Sequence, residues 1–245
     1  MVSLNSQSLV PGVTSGIGRA VAERLIADGF RVVGCGRRAD RLVELENRLG
    51  KAFWGVACDL REPSDIERMF IEISDKWGGV DGLINNAGLG HYSPLLTGTY
   101  AHWDETLRVN VLALSYCTKL AIEHMKVRGD SGSIIHISSM AGHRVPEESG
   151  MYCASKFAVR ALTESLRREL REIGSNIRIG AISPGFVETE FAAHYHRSEE
   201  KAEAAYSRYP VIQPVDIAEQ VLFMLKQPAH VQIHDILVRP TQQPS

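Results

Sequence analysis

Apolar and polar positions along this chain alternate between short β-like runs and longer helix-like stretches, and the alternation repeats from end to end. Leu9-Val10 leads into Pro11-Gly12-Val13-Thr14-Ser15-Gly16-Ile17-Gly18, after which 19–29 carries apolar residues at 20, 21, 25 and 26. That is strand, glycine turn, helix. A second strand over 31–35 follows, then a helix over 40–49, a strand over 53–57, a helix over 64–77 and the apolar run Gly82-Leu83-Ile84, which ends at Asn85-Asn86-Ala87-Gly88. The pattern goes on with a long helix over 103–127, a strand over 133–137, a helix from Tyr152 to Glu172 and a strand over 177–182. Pro184-Gly185 breaks the alternation. A polar, alanine-rich segment then spans 191–209, a helix opens at Pro214-Val215-Asp216, and a closing strand covers 231–238. Strands alternating with helices predict a parallel sheet covered on both faces, an α/β fold. No repeat, linker or low-complexity tract divides it.

Composition narrows the partners. At 245 residues and 44% hydrophobic, the chain is long enough for one large core, and one domain over 1–245 is expected. A net charge of -2 with scattered charges offers no basic field for nucleic acid or anionic lipid. Cys35, Cys58, Cys117 and Cys153 show no metal-site spacing, so reduced core thiols and no bound metal are expected. Residues 1–10 lack lysine and arginine and no run reaches eighteen apolar residues, which predicts a cytoplasmic protein without a membrane partner.

Two stretches carry ligand chemistry. The spacing Gly12-x3-Gly16-x-Gly18 is wider at its first gap than the usual dinucleotide fingerprint, yet it lets the backbone approach a ligand at a helix start that favours phosphate. The second strand ends in Gly36-Arg37-Arg38. At that position an acidic residue suits a free ribose 2′-hydroxyl and an arginine suits a 2′-phosphate. Arg37, with Arg19 as a second contact, predicts NADP(H) rather than NAD(H), and Arg38 reads as a solvated surface residue. Asp59 reads equally as an adenine acceptor or as a turn aspartate, and Asn85-Asn86 is compatible with turn chemistry alone.

The catalytic candidates lie between Ser139 and Lys156. Helical spacing of i, i+4 puts Tyr152 and Lys156 on one face. A phenol with an unperturbed pKa of about 10 is a poor acid or base at neutral pH, and a lysine ammonium beside it favours the phenolate. Ser139, just past a strand, is placed to donate to the same substrate oxygen.

Six motifs, in one order, resemble the short-chain dehydrogenase/reductase superfamily: Gly12-x3-Gly16-Ile17-Gly18, Asp59-Leu60, Asn85-Asn86-Ala87-Gly88, Asn110, Ser139 with Tyr152-x3-Lys156, and Pro184-Gly185 followed by Thr189. The stretches 31–35, 110–115, 142–145 and 228–241 further resemble the branch holding family member 11 and the insect farnesol dehydrogenases. The resemblance implies a Rossmann-type, doubly wound, three-layer α/β/α domain with about seven parallel strands. It implies that Tyr152 is the general acid or base, that Lys156 holds the nicotinamide ribose and depresses the tyrosine pKa, that Ser139 polarises the carbonyl, and that Asn110 positions a proton-relay water. Thr14, Ser15 and Ile17 join the three glycines at the phosphates. Asp59 and Leu60 are expected at the adenine, Asn86, Ala87 and Gly88 at the floor of the cofactor site, and Pro184, Gly185, Val187 and Thr189 at the nicotinamide end. Assembly as a homodimer or homotetramer through the helices over 103–127 and 152–172 is implied as well.

Two positions depart from the family pattern. Pro11 replaces the usual threonine and lacks an N–H where a central strand ends, which puts cofactor affinity in question. His136, where asparagine is common, reads as a buried, hydrogen-bonded residue. Flanking positions His91, Tyr92, Met140, His143, Val145, Met151, Phe186, Phe191, His194 and Tyr195 suggest a mostly apolar pocket for a lipophilic ketone, aldehyde or alcohol. The alternatives are a dehydrogenase of 3-hydroxy acids or a 3-oxoacyl thioester reductase, with Arg144 as the carboxylate partner, and a non-catalytic NADP(H)-binding sensor.

Overall fold

Successive strand residues send their side chains to opposite faces, and in this chain both faces are apolar. Leu9, Val33, Leu83 and Ile134 enter one buried cluster while their neighbours Val10, Val32, Ile84 and Ile135 enter another. A sheet buried on both sides needs helices on both sides. The computed structural model, which describes residues 6–147 and 149–244, has that layout. Its elements run β1 (Gln7–Pro11), α1 (Gly16–Ala27), β2 (Arg31–Gly36), α2 (Ala39–Leu49), β3 (Phe53–Ala57), α3 (Pro63–Trp77), β4 (Gly82–Asn85), α4 (Tyr100–Leu107), α5 (Leu114–Val127), β5 (Ser131–Ile137), α6 (Gly150–Glu172), β6 (Asn176–Pro184), α7 (Phe191–His196), α8 (Glu199–Tyr206), α9 (Pro214–Leu225) and β7 (Asp235–Val238).

All seven strands are parallel, in the order β3-β2-β1-β4-β5-β6-β7. The expected Rossmann-type three-layer fold is what forms. Val21 and Leu25 of α1, Leu42 and Leu45 of α2, and Val221 and Leu225 of α9 cover one face. Ile66, Met69 and Ile73 of α3, Cys117 and Met125 of α5, and Leu170 of α6 cover the other. Each such side chain contributes about 1.5–3 kcal/mol on burial. The winding reverses between β1 and β4, and a crevice at the carboxyl ends of strands flanking such a reversal is where doubly wound sheets bind ligands. Every motif singled out above except Asn110 and the pair Tyr152 and Lys156, which lies on α6, sits at or just beyond the end of a strand.

Three elements differ from the periodicity. The helix expected over 103–127 starts at Tyr100 and is interrupted by a π-helical segment, Arg108–Ala113, which separates α4 from α5. One widened turn leaves the apolar pattern almost unchanged. The segment over 191–209 forms the two short helices α7 and α8. The closing strand is only Asp235–Val238, because the chain before it is fastened to Arg178, whose Nη1 donates to the carbonyls of Gln227 (2.9 Å), Pro228 (3.2 Å) and Val231 (3.1 Å).

Pro11 is accommodated. Gly12 N–H donates to the Cys35 carbonyl at 2.9 Å, so by alternation the Pro11 position turns toward β4. Registered pairing with β4 has ended there, at Leu9 with Leu83. The four cysteines are buried and free. Among the described residues no group of side chains could hold a metal ion, and no helix is long and apolar enough to cross a membrane. Met1 to Asn5, part of the stretch read for a leader, lie outside the described residues.

Candidate active site

The buried face of α6, with Cys153, Lys156, Val159, Thr163 and Leu170, fixes the rotation of the helix and so presents Tyr152 and Lys156 to the crevice one turn apart. Lys156 is 5% exposed. Its Nζ donates to the Ile137 carbonyl at 2.9 Å, and burial lowers its pKa to about 8. Burial pushes the Tyr152 phenol up to about 12, with a hydrogen bond to Ser139 as the opposing pull. The expected depression of the tyrosine by the lysine is therefore absent. Lys156 Nζ is 5.9 Å from the centre of the tyrosine ring, and desolvation of the buried phenol is the larger effect. Ser139 has extended backbone (φ -170°) and its Oγ accepts from Ala141 N, which holds the hydroxyl at the end of β5.

Asn110 lies in the π segment and is buried; such bulges recur at functional sites because they re-aim one residue. Its Nδ2 donates to the Leu89 carbonyl at 2.7 Å and to Ser155 Oγ at 3.0 Å, its Oδ1 accepts from Leu89 N at 2.9 Å, and Ser155 Oγ donates to the Tyr152 carbonyl at 2.7 Å. Ser155, which the sequence reading passed over, thus ties Asn110 to the tyrosine's own backbone. A Cβ added to Gly88 would stand 3.5 Å from both Asn110 Oδ1 and Lys156 Nζ. The bare glycine leaves one gap faced by an acceptor and a cation.

The phosphate turn is built by close approach. Gly12 has φ +77°, and a Cβ there would meet Ala87 Cα at 2.9 Å. Asn86 Nδ2 donates to the carbonyls of Pro11 at 3.1 Å and Gly12 at 3.0 Å, so Asn86 acts as a buttress beneath the turn. Gly16 has φ +52° and faces Thr189 Cγ2. No side chain caps α1, which leaves its first N–H groups available to a phosphate. Gly12, Gly16, Gly18, Asn86, Ala87 and Thr189 are brought together as a cradle that fits a pyrophosphate. Pro184 ends β6, Gly185 N donates to the Val238 carbonyl at 2.7 Å, and Val187 bridges to Ile212. Leu60 is partly buried and packs against the core.

The arginines are arranged differently from expectation. Arg38 is not a solvated surface residue: its Nη2 donates to Thr14 Oγ1 at 2.9 Å and to Ser15 Oγ at 2.8 Å. It reaches back from the start of α2 because those hydroxyls end the phosphate turn beside it. Arg37 is exposed and its guanidinium has no hydrogen-bond partner among the described residues. Arg19 turns away to Glu23 and Glu44. Asp59 makes a turn, accepting from Arg61 N at 3.0 Å and pairing with the Arg61 side chain, whose hydrogen bonds lower its pKa.

On the substrate side, Tyr152 is covered by α7. Its ring centre is 5.2 Å from Phe191 and 6.0 Å from Tyr195, and Gly90 lies between Tyr152 and Tyr195. His91 stacks on His102 at 4.3 Å and bonds Glu105 Oε2 at 2.9 Å. His143 leaves the pocket lining for a knot with Ser183 (3.1 Å) and Asp235 (3.0 Å), and Val145 is 71% exposed. His136 is buried as expected, between Thr163 Oγ1 at 2.9 Å and Thr118 Oγ1 at 3.3 Å.

Residues 7–200 match the family model described as short chain dehydrogenase. The chain is 47% identical over 245 residues to dehydrogenase/reductase SDR family member 11 of Bos taurus, with 96% of each chain covered. It is 38% identical over 240 residues to farnesol dehydrogenase of Aedes aegypti, with 95% of each covered. The closed form of serine dehydrogenase complexed with NADP+ superposes with a TM-score of 0.93 at 33% identity, over 98% of this chain and 96% of that one. With Ser139, Tyr152 and Lys156 set round one crevice, the chain belongs to the short-chain dehydrogenase family, as an oxidoreductase acting on CH–OH groups.

Proposed function

We propose that the protein is an NADP(H)-dependent reductase of hydrophobic ketones and aldehydes, of steroid-like or isoprenoid type, and the dehydrogenase of the corresponding alcohols. The observation that carries this reading is the catalytic pair beneath an aromatic cover: Tyr152, with Lys156 behind it, lies against Phe191 and Tyr195. A carbonyl that reaches the phenol must pass two aromatic faces, which favours apolar flanks.

The bound nicotinamide would supply or accept hydride. Gly12, Gly16, Gly18 and the start of α1 would hold its pyrophosphate, and Arg38 with Arg37 its 2′-phosphate; the similarity to an NADP+-complexed dehydrogenase supports that assignment. Ser139 Oγ donates to the substrate oxygen. Tyr152 delivers a proton to that oxygen in reduction and removes one in oxidation. For oxidation its high pKa must fall; the buried Lys156 cation would hold the nicotinamide ribose and supply a field that favours the phenolate. Asn110 holds Leu89 and, through Ser155, the backbone of Tyr152. The exposed Leu112 and Phe157, on the π segment and α6, support assembly into a homo-oligomer through these helices, which light scattering reads directly.

One observation favours a second reading. Arg144 Nε is buried without a hydrogen-bond partner among the described residues, and a guanidinium so placed suits the carboxylate of a small hydroxy acid. NADPH consumption across a panel from steroids and isoprenoids to short keto acids separates the two. The expected result is turnover confined to the hydrophobic end. Turnover of keto acids alone, lost in Arg144→Ala, would replace the first reading with the second.

A further inference from the structure

A single carboxylate joins the end of β2 to the segment that covers the catalytic tyrosine. Arg38 Nη1 donates to Glu190 Oε2 at 2.8 Å and Arg41 Nη1 donates to Glu190 Oε1 at 2.6 Å, so each carboxylate oxygen takes one guanidinium. Arg38 also holds Thr14 and Ser15 of the phosphate turn. Glu190 follows Thr189, whose methyl packs on Gly16, and precedes α7, whose Phe191 and Tyr195 lie on Tyr152. Although desolvation opposes it, hydrogen bonding from Arg38 and Arg41 brings the Glu190 carboxyl down to about 2; the carboxylate is charged throughout the physiological range.

Two oxygens on two guanidinium groups are what a phosphate monoester would also present. Resting on the cofactor reading above, we propose that Glu190 is a specificity-determining residue: its carboxylate competes with the 2′-phosphate for Arg38 and Arg41. A cofactor with a 2′-phosphate displaces it, and displacement frees the α7 segment from α2, which opens the way to Tyr152 after the cofactor has bound. A cofactor without that phosphate has no charge with which to compete and leaves the clasp closed. The groups are 37–54% exposed, so the clasp is weak enough to exchange.

The test uses adenosine 2′,5′-bisphosphate and 5′-AMP as probes, titrated by calorimetry against the full-length protein. Glu190→Gln is expected to tighten the bisphosphate by about three- to tenfold, the scale of two surface ion pairs, and to leave 5′-AMP within about twofold. Amide exchange in 191–206 is expected to rise when the bisphosphate binds the native protein, and to be raised already in the variant. Glu190→Ala should act in the same direction. Weaker or unchanged bisphosphate binding in both variants would overturn the inference, as would exchange that the bisphosphate does not alter. Arg38→Ala separates the two levels: if it costs the bisphosphate its advantage over 5′-AMP while Glu190→Gln does nothing, only this inference fails. If native protein shows no such advantage, the cofactor reading fails and takes the inference with it.

Discussion

At the scale of single residues, burial decides the chemistry. His136 sits between two threonine hydroxyls with its pKa lowered to about 3, first by desolvation and then by the charge of Lys156. Below pH 6.5 the unfolded chain takes up a proton at this histidine while the folded chain does not until about 3. The unfolded state therefore binds more protons in that window, and stability falls as pH falls through it. His136→Asn removes the titration and keeps a donor and an acceptor. Urea midpoints between pH 6.5 and about 5, above the range where most carboxylates begin to protonate, should decline less in the variant than in the native protein. Parallel declines would show that His136 is charged in the fold or carries no such cost. The same rule corrects the simplest view of Tyr152. With the Lys156 cation 5.9 Å from the ring centre, desolvation of the buried phenol is the larger effect and its pKa rises.

At the scale of elements, strand and helix periods were legible because both faces of the sheet are covered. The alternation of Leu9 and Val10 into opposite clusters is a two-residue pattern that any apolar run displays. The π segment was not legible, since one widened turn leaves the apolar pattern almost unchanged and the composition untouched. Asn110 came from the family resemblance, whereas its link through Ser155 to Tyr152 came only from the packed helices. Pro11 was legible as an anomaly and is resolved by register: its missing N–H faces β4 beyond the last registered pair. Pro11→Thr should consequently change NADPH affinity by less than about threefold, as expected where no hydrogen bond is gained or lost, measured by fluorescence titration. A tenfold change would mean that the proline shapes the phosphate turn itself.

At the scale of the whole molecule, the winding reversal between β1 and β4 gathers strand ends that are far apart in the chain into one crevice. The cradle residues and the catalytic set could be named from sequence because each sits in a short local motif. The clasp could not, since Arg38 and Glu190 are 152 positions apart and each alone is an ordinary surface charge; the i, i+3 spacing of Arg38 and Arg41 was the one local signal. The central claim is that the crevice delivers a proton through Tyr152 to a substrate oxygen while a separate cradle holds the cofactor. The measurement that tests it most directly is Tyr152→Phe, with NADPH affinity and NADPH consumption read on the same preparation with a hydrophobic ketone. The account predicts turnover reduced by about 10²–10⁴-fold, the range of general acid–base catalysis, with NADPH affinity held within about threefold. Turnover within about threefold of native would contradict it, because some other group would then be supplying the proton.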